Sequence, residues 1–375
     1  MNQCSICILD DLDDKDISFN EDNICNYCVE FNSRVKNYTF TKEQEAKNLE
    51  KIKTQLTKNN NEYDVIIGLS GGVDSSYVCY LAHKMGLKCL LIQMDNGWNS
   101  KISTSNINKI VKKTGYDYYN YLLNWNEFKD LQKSFIKAGV IDLEVLTDHA
   151  VWAVLFKYTK KFKIKYTLTG DNYLTENGMP SSWNWIKSDS TNIKDIHNKY
   201  GTVKLKTFPF LSFYRWYLNS YFGFESTMIP ILNKINYNKF DAIKKLKDYF
   251  NWEEYEGKHY ESNFTKFYQA YILPKKFKVD KRKSHLSAII RSGQISKSDA
   301  INELNKPLFT GNQLQLEKEY FEKKLDYSTK EFDQIMDEKP VSHDYFKSDK
   351  PKFKILWNIS YIISRFQNIK KTFSN

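Results

Sequence analysis

Hydrophobic positions along this chain follow two rhythms. Residues 64–69, 89–94, 118–123 and 166–169 are short apolar or aromatic runs, several of them β-branched. Such runs, bounded by polar turns, predict strands buried on both faces, as in a parallel sheet. Between them the spacing changes. Tyr77, Val78, Tyr80, Leu81 and Met85 recur at helical intervals, residues 106–114 read as a helix, and residues 148–161 carry Val151, Leu155 and Tyr158 on one side. Strand and helix alternating in this way predict an α/β fold on a parallel sheet.

The C-terminal half follows the helical rhythm. Tyr260, Phe264, Phe267 and Tyr271 repeat at four, three and four, an aromatic seam on a helix over residues 258–273 that Pro274 should end. His259, Ser262, Asn263 and Lys266 fall on another face. Lys275, Lys276, Lys278, Lys281, Arg282 and Lys283 follow, then His285. A basic run interleaved with aromatics after a polar helical face reads as phosphate-binding more than as a solvated surface. A further helix is expected from about residue 286, with Ser296 or Ser298 capping another, and residues 353–366 suggest a short amphipathic helix.

Length and charge narrow the class. With 375 residues the chain divides into an N-terminal module over 1–40, a nucleotide domain over 41–205, a helical region over 206–335 and a tail over 336–375. Lys and Arg number 56 against 45 acids, a formal charge of +11, which favours an anionic partner. Residues 208–224 are the most apolar stretch, but Pro209, Arg215, Asn219 and Ser220 interrupt it, so it cannot span a bilayer. It reads as a buried segment or a peripheral membrane contact. The first residues carry no basic, then apolar, leader, which leads to the expectation of a cytoplasmic protein with few disulfides.

The cysteines sharpen this. Cys4 and Cys7 form one CxxC pair and Cys25 and Cys28 another. Four thiolates at this spacing predict a structural zinc site whose metal supplies the folding energy of a ribbon too small for its own core. Unmetallated cysteines or an iron–sulfur cluster are the other readings. Asp10, Asp11, Asp13 and Asp14 are expected in a solvated hairpin between the pairs, and Cys79 and Cys89 read as small buried hydrophobes.

The central motif is Ser70-Gly71-Gly72-Val73-Asp74-Ser75-Ser76, placed where the first strand gives way to a helix. Glycines allow close backbone approach, and the helix start offers N–H groups to phosphate. Ser70 and Ser75 add hydroxyls. Asp74 would repel phosphate unless a cation lay between, which implies Mg²⁺. The loop is not the GxxxxGK[ST] type.

SGGVDS resembles the PP-loop of the N-type ATP pyrophosphatases, which split ATP between the α- and β-phosphates and adenylate a carbonyl oxygen. The wider pattern, a cysteine ribbon, SGGVDSS, DNGW at 95–98, GDN at 170–172, then GKHYESNFTKFYQAYILPKKF and DKRKSHLSAIIRSGQI, is similar to the N-acetyl sugar amidotransferases of surface polysaccharide and nonulosonic acid biosynthesis. The resemblance implies that an acetamido group on a sugar or sugar nucleotide becomes acetamidino. It implies ATP bound by Ser70, Gly71, Gly72, Val73, Asp74 and Ser75, with adenine near Met94, the ribose or a metal near Asp95, and the α-phosphate near Gly170. Asp171 and Glu176 become metal or ammonia-site groups, Lys275 and Lys281 stabilise adenylation, and His259, Glu261, Lys266, Arg282 and His285 contact the sugar nucleotide. The cysteines offer no glutaminase nucleophile, so ammonia would come from a separate glutaminase through a cyclase-like channel subunit. Residues 208–232 are left as substrate pocket, homodimer interface or membrane contact.

Two other classes compete. A tRNA-modifying PP-loop enzyme would suit the charge, but the chain shows no second pair of CxxC motifs and no long basic stripe, so no stable nucleic-acid partner is expected. A non-catalytic scaffold would not need the intact loop.

Overall fold

The computed structural model describes residues 2–58, 61–223, 225–255, 260–353 and 355–356. Its centre is a parallel sheet of β1 (Val65–Gly68), β2 (Cys89–Asp95), β3 (Asp117–Leu122), β4 (Tyr166–Thr169) and β5 (Thr227–Pro230), ordered β3-β2-β1-β4-β5. Val65 lies opposite Cys89, Leu90 opposite Asp117, Ile66 opposite Thr167 and Tyr166 opposite Thr227. The four runs read from the sequence are the first four strands. β5 falls inside the aromatic segment that sequence left unassigned. It pairs with β4 alone, and an edge position tolerates Pro230, which has no N–H to give.

Burial explains the central strands. Val65, Ile66 and Ile67 are all buried because helices cover both faces. Before the sheet come α1 (Asn26–Arg34) and α2 (Lys42–Thr57), the latter opened by a capping box between Thr41 and Gln44. α3 (Val73–Lys84) and α4 (Lys101–Thr114) carry the chain from β1 to β2 to β3. α5 (Trp125–Ala138) and α6 (Val145–Phe162) then return it to β4, on the far side of β1. Strand order therefore reverses between β1 and β4, and the carboxyl ends of strands at such a point form a natural ligand crevice. Val65 and Ile67 pack with Val78 of α3, while Ile66 packs with Val154 and Leu155 of α6.

α7 (Tyr173–Glu176), α8 (Ser190–Tyr200) and α9 (Phe213–Phe222) lie between β4 and β5, and α10 (Lys239–Phe250) follows. Within the aromatic segment Phe208, Leu211 and Phe213 are buried, whereas Tyr214, Leu218 and Phe222 of α9 are exposed, so the segment is only half interior. Among the described residues no helix is long and apolar enough to cross a membrane.

The aromatic seam departs from expectation. α11 (Asn263–Phe267) runs into a π-helical stretch, Tyr268–Phe277, with Pro274 inside it. Pro274 does not end the helix, because widening to π turns has already displaced the i→i−4 ladder that its missing N–H would break. The chain turns instead at Lys278, where φ is +59°. α12 (Lys281–Arg291) then begins four or five residues before the position expected, because Asp280 caps it by accepting from the Arg282 N–H. α13 (Lys297–Leu304), capped by Ser296, α14 (Gln313–Lys324) and α15 (Thr329–Asp337) complete the region. Phe264, Tyr268, Phe321 and Phe332 share one core with the ribbon cysteines. The helix expected over 353–366 lies mostly outside the described residues.

Candidate functional site

The phosphate-loop motif is where the sequence placed it, joining β1 to α3. Gly71 adopts a φ of +82°, and a Cβ there would stand 2.8 Å from the Ser103 carbonyl oxygen, so both conformation and space demand glycine. Its own carbonyl accepts from Trp252 Nε1 at 3.1 Å and from the Tyr255 hydroxyl at 2.9 Å. Ser103 Oγ donates to the Ser70 carbonyl at 2.8 Å. Inside the loop, Ser70 Oγ accepts from the Gly72 N–H at 3.2 Å and lies 3.1 Å from Ser75 Oγ. Gly72 occupies the N-cap of α3 without a side-chain cap, so the first turn presents its N–H groups to whatever enters the crevice. The Tyr237 hydroxyl donates to Asp74 Oδ1.

Two cavities meet at this loop. The first, ≈ 730 Å³, runs from the carboxyl ends of β1, β2 and β4 to α6, between Gly68, Met94 and Gly170 on one side and Asp148, Val151 and Trp152 on the other. The second, ≈ 810 Å³, extends from Gly72, Val73, Asp74 and Ser75 outward to Lys239, Lys266, Arg282 and Lys306. Ser70, Gly170, Asp171, Glu176, Glu261, Gln269, Lys281 and His285 line both. A slot with apolar sides beside the strand ends suits a nucleoside. An aromatic-edged recess that sets Lys239, Lys266, Lys281, Arg282 and Lys306 among seven carboxylates suits a polar second molecule.

Charges concentrate on the shared wall. Burial raises the Asp171 carboxyl, and repulsion from Glu176 and Asp148 adds to the rise. Lys281 Nζ pairs with Glu144 at 2.9 Å, and Lys187 Nζ pairs with Asp142 at 2.6 Å and Asp148 at 3.1 Å. His149, next along α6, accepts the Leu211 N–H at Nε2, so its Nδ1 carries the proton and donates to the Lys187 carbonyl at 2.9 Å. With Asp74, Asp171, Glu176 and Glu261 all on the cavity walls, polyphosphate would meet repulsion unless a divalent cation joined it. Mg²⁺ held by one or two carboxylates and the phosphates themselves fits this donor set.

The sequence-derived site is mostly assembled. Ser70, Gly72, Val73, Asp74, Ser75, Met94, Gly170, Asp171, Glu176, Glu261, Lys266, Lys281, Arg282 and His285 all line one or both cavities. Lys266 also pairs with Glu317 at 2.9 Å, and Arg282 is held by a bidentate contact with Asp280. Gly71 lines neither cavity, and two further expectations come out differently. Lys275 lines neither cavity: its ammonium lies 3.2 Å from the Tyr271 hydroxyl and 4.0 Å from Asp337, because the π-helical stretch turns it outward. Asp95 also lines neither, its carboxylate accepting the Gly97 N–H at 2.8 Å to close the turn after β2. His259 lies outside the described residues. Sequence reasoning missed Lys187, Asp148, Glu144 and Tyr237. None sits in a motif, and the apolar side of α6 is what its pattern reveals.

At the N-terminus the four cysteine sulfurs are buried and lie within 4.8 Å of one another, the one such cluster among the described residues. Cys4 and Cys28 sulfurs are 3.7 Å apart, as are those of Cys7 and Cys25. A tetrahedron of thiolates about 2.3 Å from zinc places sulfurs about 3.8 Å apart, so the arrangement fits that ion and is too open for disulfides. Backbone N–H groups of Cys7 and Cys25 point at Cys4 sulfur, as expected around a thiolate. Hydrogen bonds from Cys25 and Cys28 hold the Cys4 thiol well below its usual range, while those from Cys25 and Cys4 push Cys28 well above. A divalent ion would remove that asymmetry. Asp11 is exposed as expected, but Asp10 and Asp14 are buried, and Asp10 and Asp13 pair with Lys283.

Comparison with known proteins agrees with this layout. Residues 261–361 match the family described as LPS biosynthesis protein WbpG-like, C-terminal domain. Residues 45–143 match NAD synthase. No curated protein matches the chain. Among solved structures, NMN synthetase from Francisella tularensis is similar at 13% identity and a TM-score of 0.38, covering 77% of this chain and 98% of its own. The NH3-dependent NAD synthetase from Campylobacter jejuni subsp. jejuni NCTC 11168, in complex with the nitrate ion, is similar at 18% identity and a TM-score of 0.29, covering 55% and 82%. Both scores are too low to bear on function.

Proposed function

We propose that this chain, in which a WbpG-like C-terminal domain closes over a PP-loop domain of the NAD synthase type, is an ATP-dependent amidotransferase of surface-polysaccharide synthesis. Its acceptor is an acetamido group on a sugar or sugar nucleotide, and its product is the acetamidino sugar. The observation that carries the reading is the wall common to the two cavities, which share Ser70, Gly170, Asp171, Lys281 and His285.

ATP lies in the first cavity with adenine near Met94 and its polyphosphate on the loop N–H groups and the serine hydroxyls. Mg²⁺, near Asp74, would neutralise the phosphates. The acceptor enters from the second cavity, oriented by Glu261, Lys266, Arg282 and His285. Its amide oxygen attacks the α-phosphorus, the bond to the bridging oxygen breaks, and pyrophosphate leaves. The resulting O-adenyl imidate has a good leaving group on an otherwise unreactive carbon. Ammonia adds to that carbon, AMP departs with the former amide oxygen, and the amidine remains. Lys281, deep between the cavities, opposes the negative charge that develops at the α-phosphate. Asp171, with its raised affinity for protons, can take one from the attacking amine.

Zinc is read as structural in the cysteine site, since four protein ligands leave no open position. The protein would work in the cytoplasm and draw ammonia from a separate glutaminase through a channel subunit, because the buried cysteines have other roles. The test is AMP and pyrophosphate release from Mg-ATP with excess ammonium, run against a panel of diacetamido sugar nucleotides and against bulk tRNA. Release that requires a sugar supports the reading. Release that requires tRNA overturns it and favours RNA modification, which the +11 charge would suit.

A further inference from the structure

Helix α12 serves two neighbours at once. Lys281 and His285 line both cavities and Arg282 lines the outer one. Lys283 and Ser287, four residues apart on another face, meet the cysteine ribbon. Lys283 Nζ donates to Asp10 Oδ2 at 2.7 Å and to Asp13 Oδ1 and Oδ2 at 2.9 and 3.1 Å. The Ile8 N–H donates to Ser287 Oγ at 3.3 Å, and Ile8 packs with Leu286 and Ala300. At the start of α13, Lys297 Nζ donates to the carbonyl of Cys4 itself at 2.7 Å.

These contacts are interior ones. The Asp10 and Asp13 side chains are 3% and 8% exposed. Both acids sit between the two cysteine pairs, so whatever gathers the four sulfurs also fixes where the acids stand. The ribbon is too small for a core of its own, so the cysteine site and its docking onto the C-terminal helices hold them together. On its far side the same ribbon reaches the segment after α7: Trp183 Nε1 donates to the Asp13 carbonyl at 2.8 Å and Ser182 Oγ to Asp14 at 2.7 Å.

We propose that Lys283 is a positioning residue: it ties α12 to the metal-bearing ribbon, so that loading of the cysteine site sets where Lys281, Arg282 and His285 stand in the acceptor cavity. The consequence for acceptor binding rests on the function proposed above, whereas the placement of α12 can be measured without any acceptor.

The test uses the full chain as wild type, Lys283→Met and Lys283→Arg. Metal content is read with a colorimetric chelator after denaturation, and amide hydrogen exchange is followed over residues 281–291, with 65–84 as an internal reference. Stripping the metal with a mercurial and a chelator should speed exchange over 281–291 about tenfold or more while 65–84 stays within about twofold. Lys283→Met should do the same while keeping its metal, and Lys283→Arg should restore the wild-type rate. If stripping loosens both segments together, the metal-loaded Lys283→Met protein decides. Exchange over 281–291 equal to wild type in that variant overturns the inference. Should Lys283→Met not fold, Ser287→Ala, which removes the acceptor of the Ile8 N–H, takes its place with the same expected result. In the amidine assay, Lys283→Met should raise the sugar KM several-fold and leave the ATP KM unchanged, a split that general destabilisation would not give. Failure of the assay to find any sugar substrate would sink the proposed function and leave the exchange result standing.

Discussion

A Cβ added to Gly170 would stand 3.0 Å from the Cβ of Asp74 and 3.1 Å from its carbonyl carbon, so the loop after β4 touches the phosphate loop backbone to backbone. The contact lies at the point where strand order reverses, and nothing flexible is available to yield. Gly170→Ala should therefore destabilise the protein by about 1–3 kcal/mol and lower kcat/KM for ATP by at least tenfold or so. Thermal unfolding and AMP release check the two effects. A variant with wild-type melting and wild-type ATP kinetics would show that the two loops can separate freely.

Lys281 and Lys275 make a matched pair for testing the charge at the cavity wall. The Lys281 side chain is 7% exposed and bound to Glu144, whereas Lys275 faces outward. Lys281→Met should reduce AMP release about 10²- to 10³-fold, and Lys275→Met should change it less than about twofold. Circular dichroism would confirm that the first variant is folded. Equal losses in both would mean that the basic segment acts as a diffuse field and not through one positioned ammonium.

Stability should fall in acid for a reason that can be assigned. Burial pushes His149 and His343 each down to about 4. In the unfolded chain both return to about 6.5, so between those values the unfolded state binds more protons than the folded one. Their contribution is complete above pH 6.5 and is lost as pH falls to 4, by about 3 kcal/mol for each. Nδ1 of His343 donates to Asn192 Oδ1 at 2.8 Å, and Nε2 has no hydrogen-bond partner among the described residues. His343→Gln should remove about half of this acid sensitivity. Denaturant unfolding at a series of pH values checks it, and an unchanged slope between pH 6.5 and 4 would contradict it.

Removing a ribbon ligand should be felt through the whole C-terminal region, because the sulfurs share a core with Phe264 and Tyr268. Cys28→Ser should abolish metal retention and lower the melting temperature by several degrees or more, an effect that added zinc does not reverse. Cys79→Ser, at a buried thiol outside the cluster, should leave metal content unchanged.

Much of this architecture is readable from the chain, and the parts that are not share a cause. β1, β2 and β4 declare themselves because apolar runs flanked by glycine or polar turns have few other homes. The phosphate loop declares itself because Gly71, Gly72 and Asp74 form a local motif. What escapes depends on partners distant in sequence. Lys187 joins the site because Asp142 and Asp148 hold it there, and Tyr237 because its hydroxyl reaches Asp74. Lys275 and Lys281 look alike in sequence, and only the π-helical turn between Tyr268 and Phe277 separates them. Asp10 and Asp13 looked like solvated loop acids until α12 supplied Lys283.

In the proposed reaction an acetamido oxygen is adenylated and then replaced by nitrogen. Labelling that oxygen with a heavy isotope, and the ammonium with heavy nitrogen, follows both atoms through one turnover. Oxygen label is expected in the AMP and nitrogen label in a sugar amidine, with Asp74→Asn abolishing both. Oxygen label that stays on the sugar, or AMP formed with no label, would contradict it.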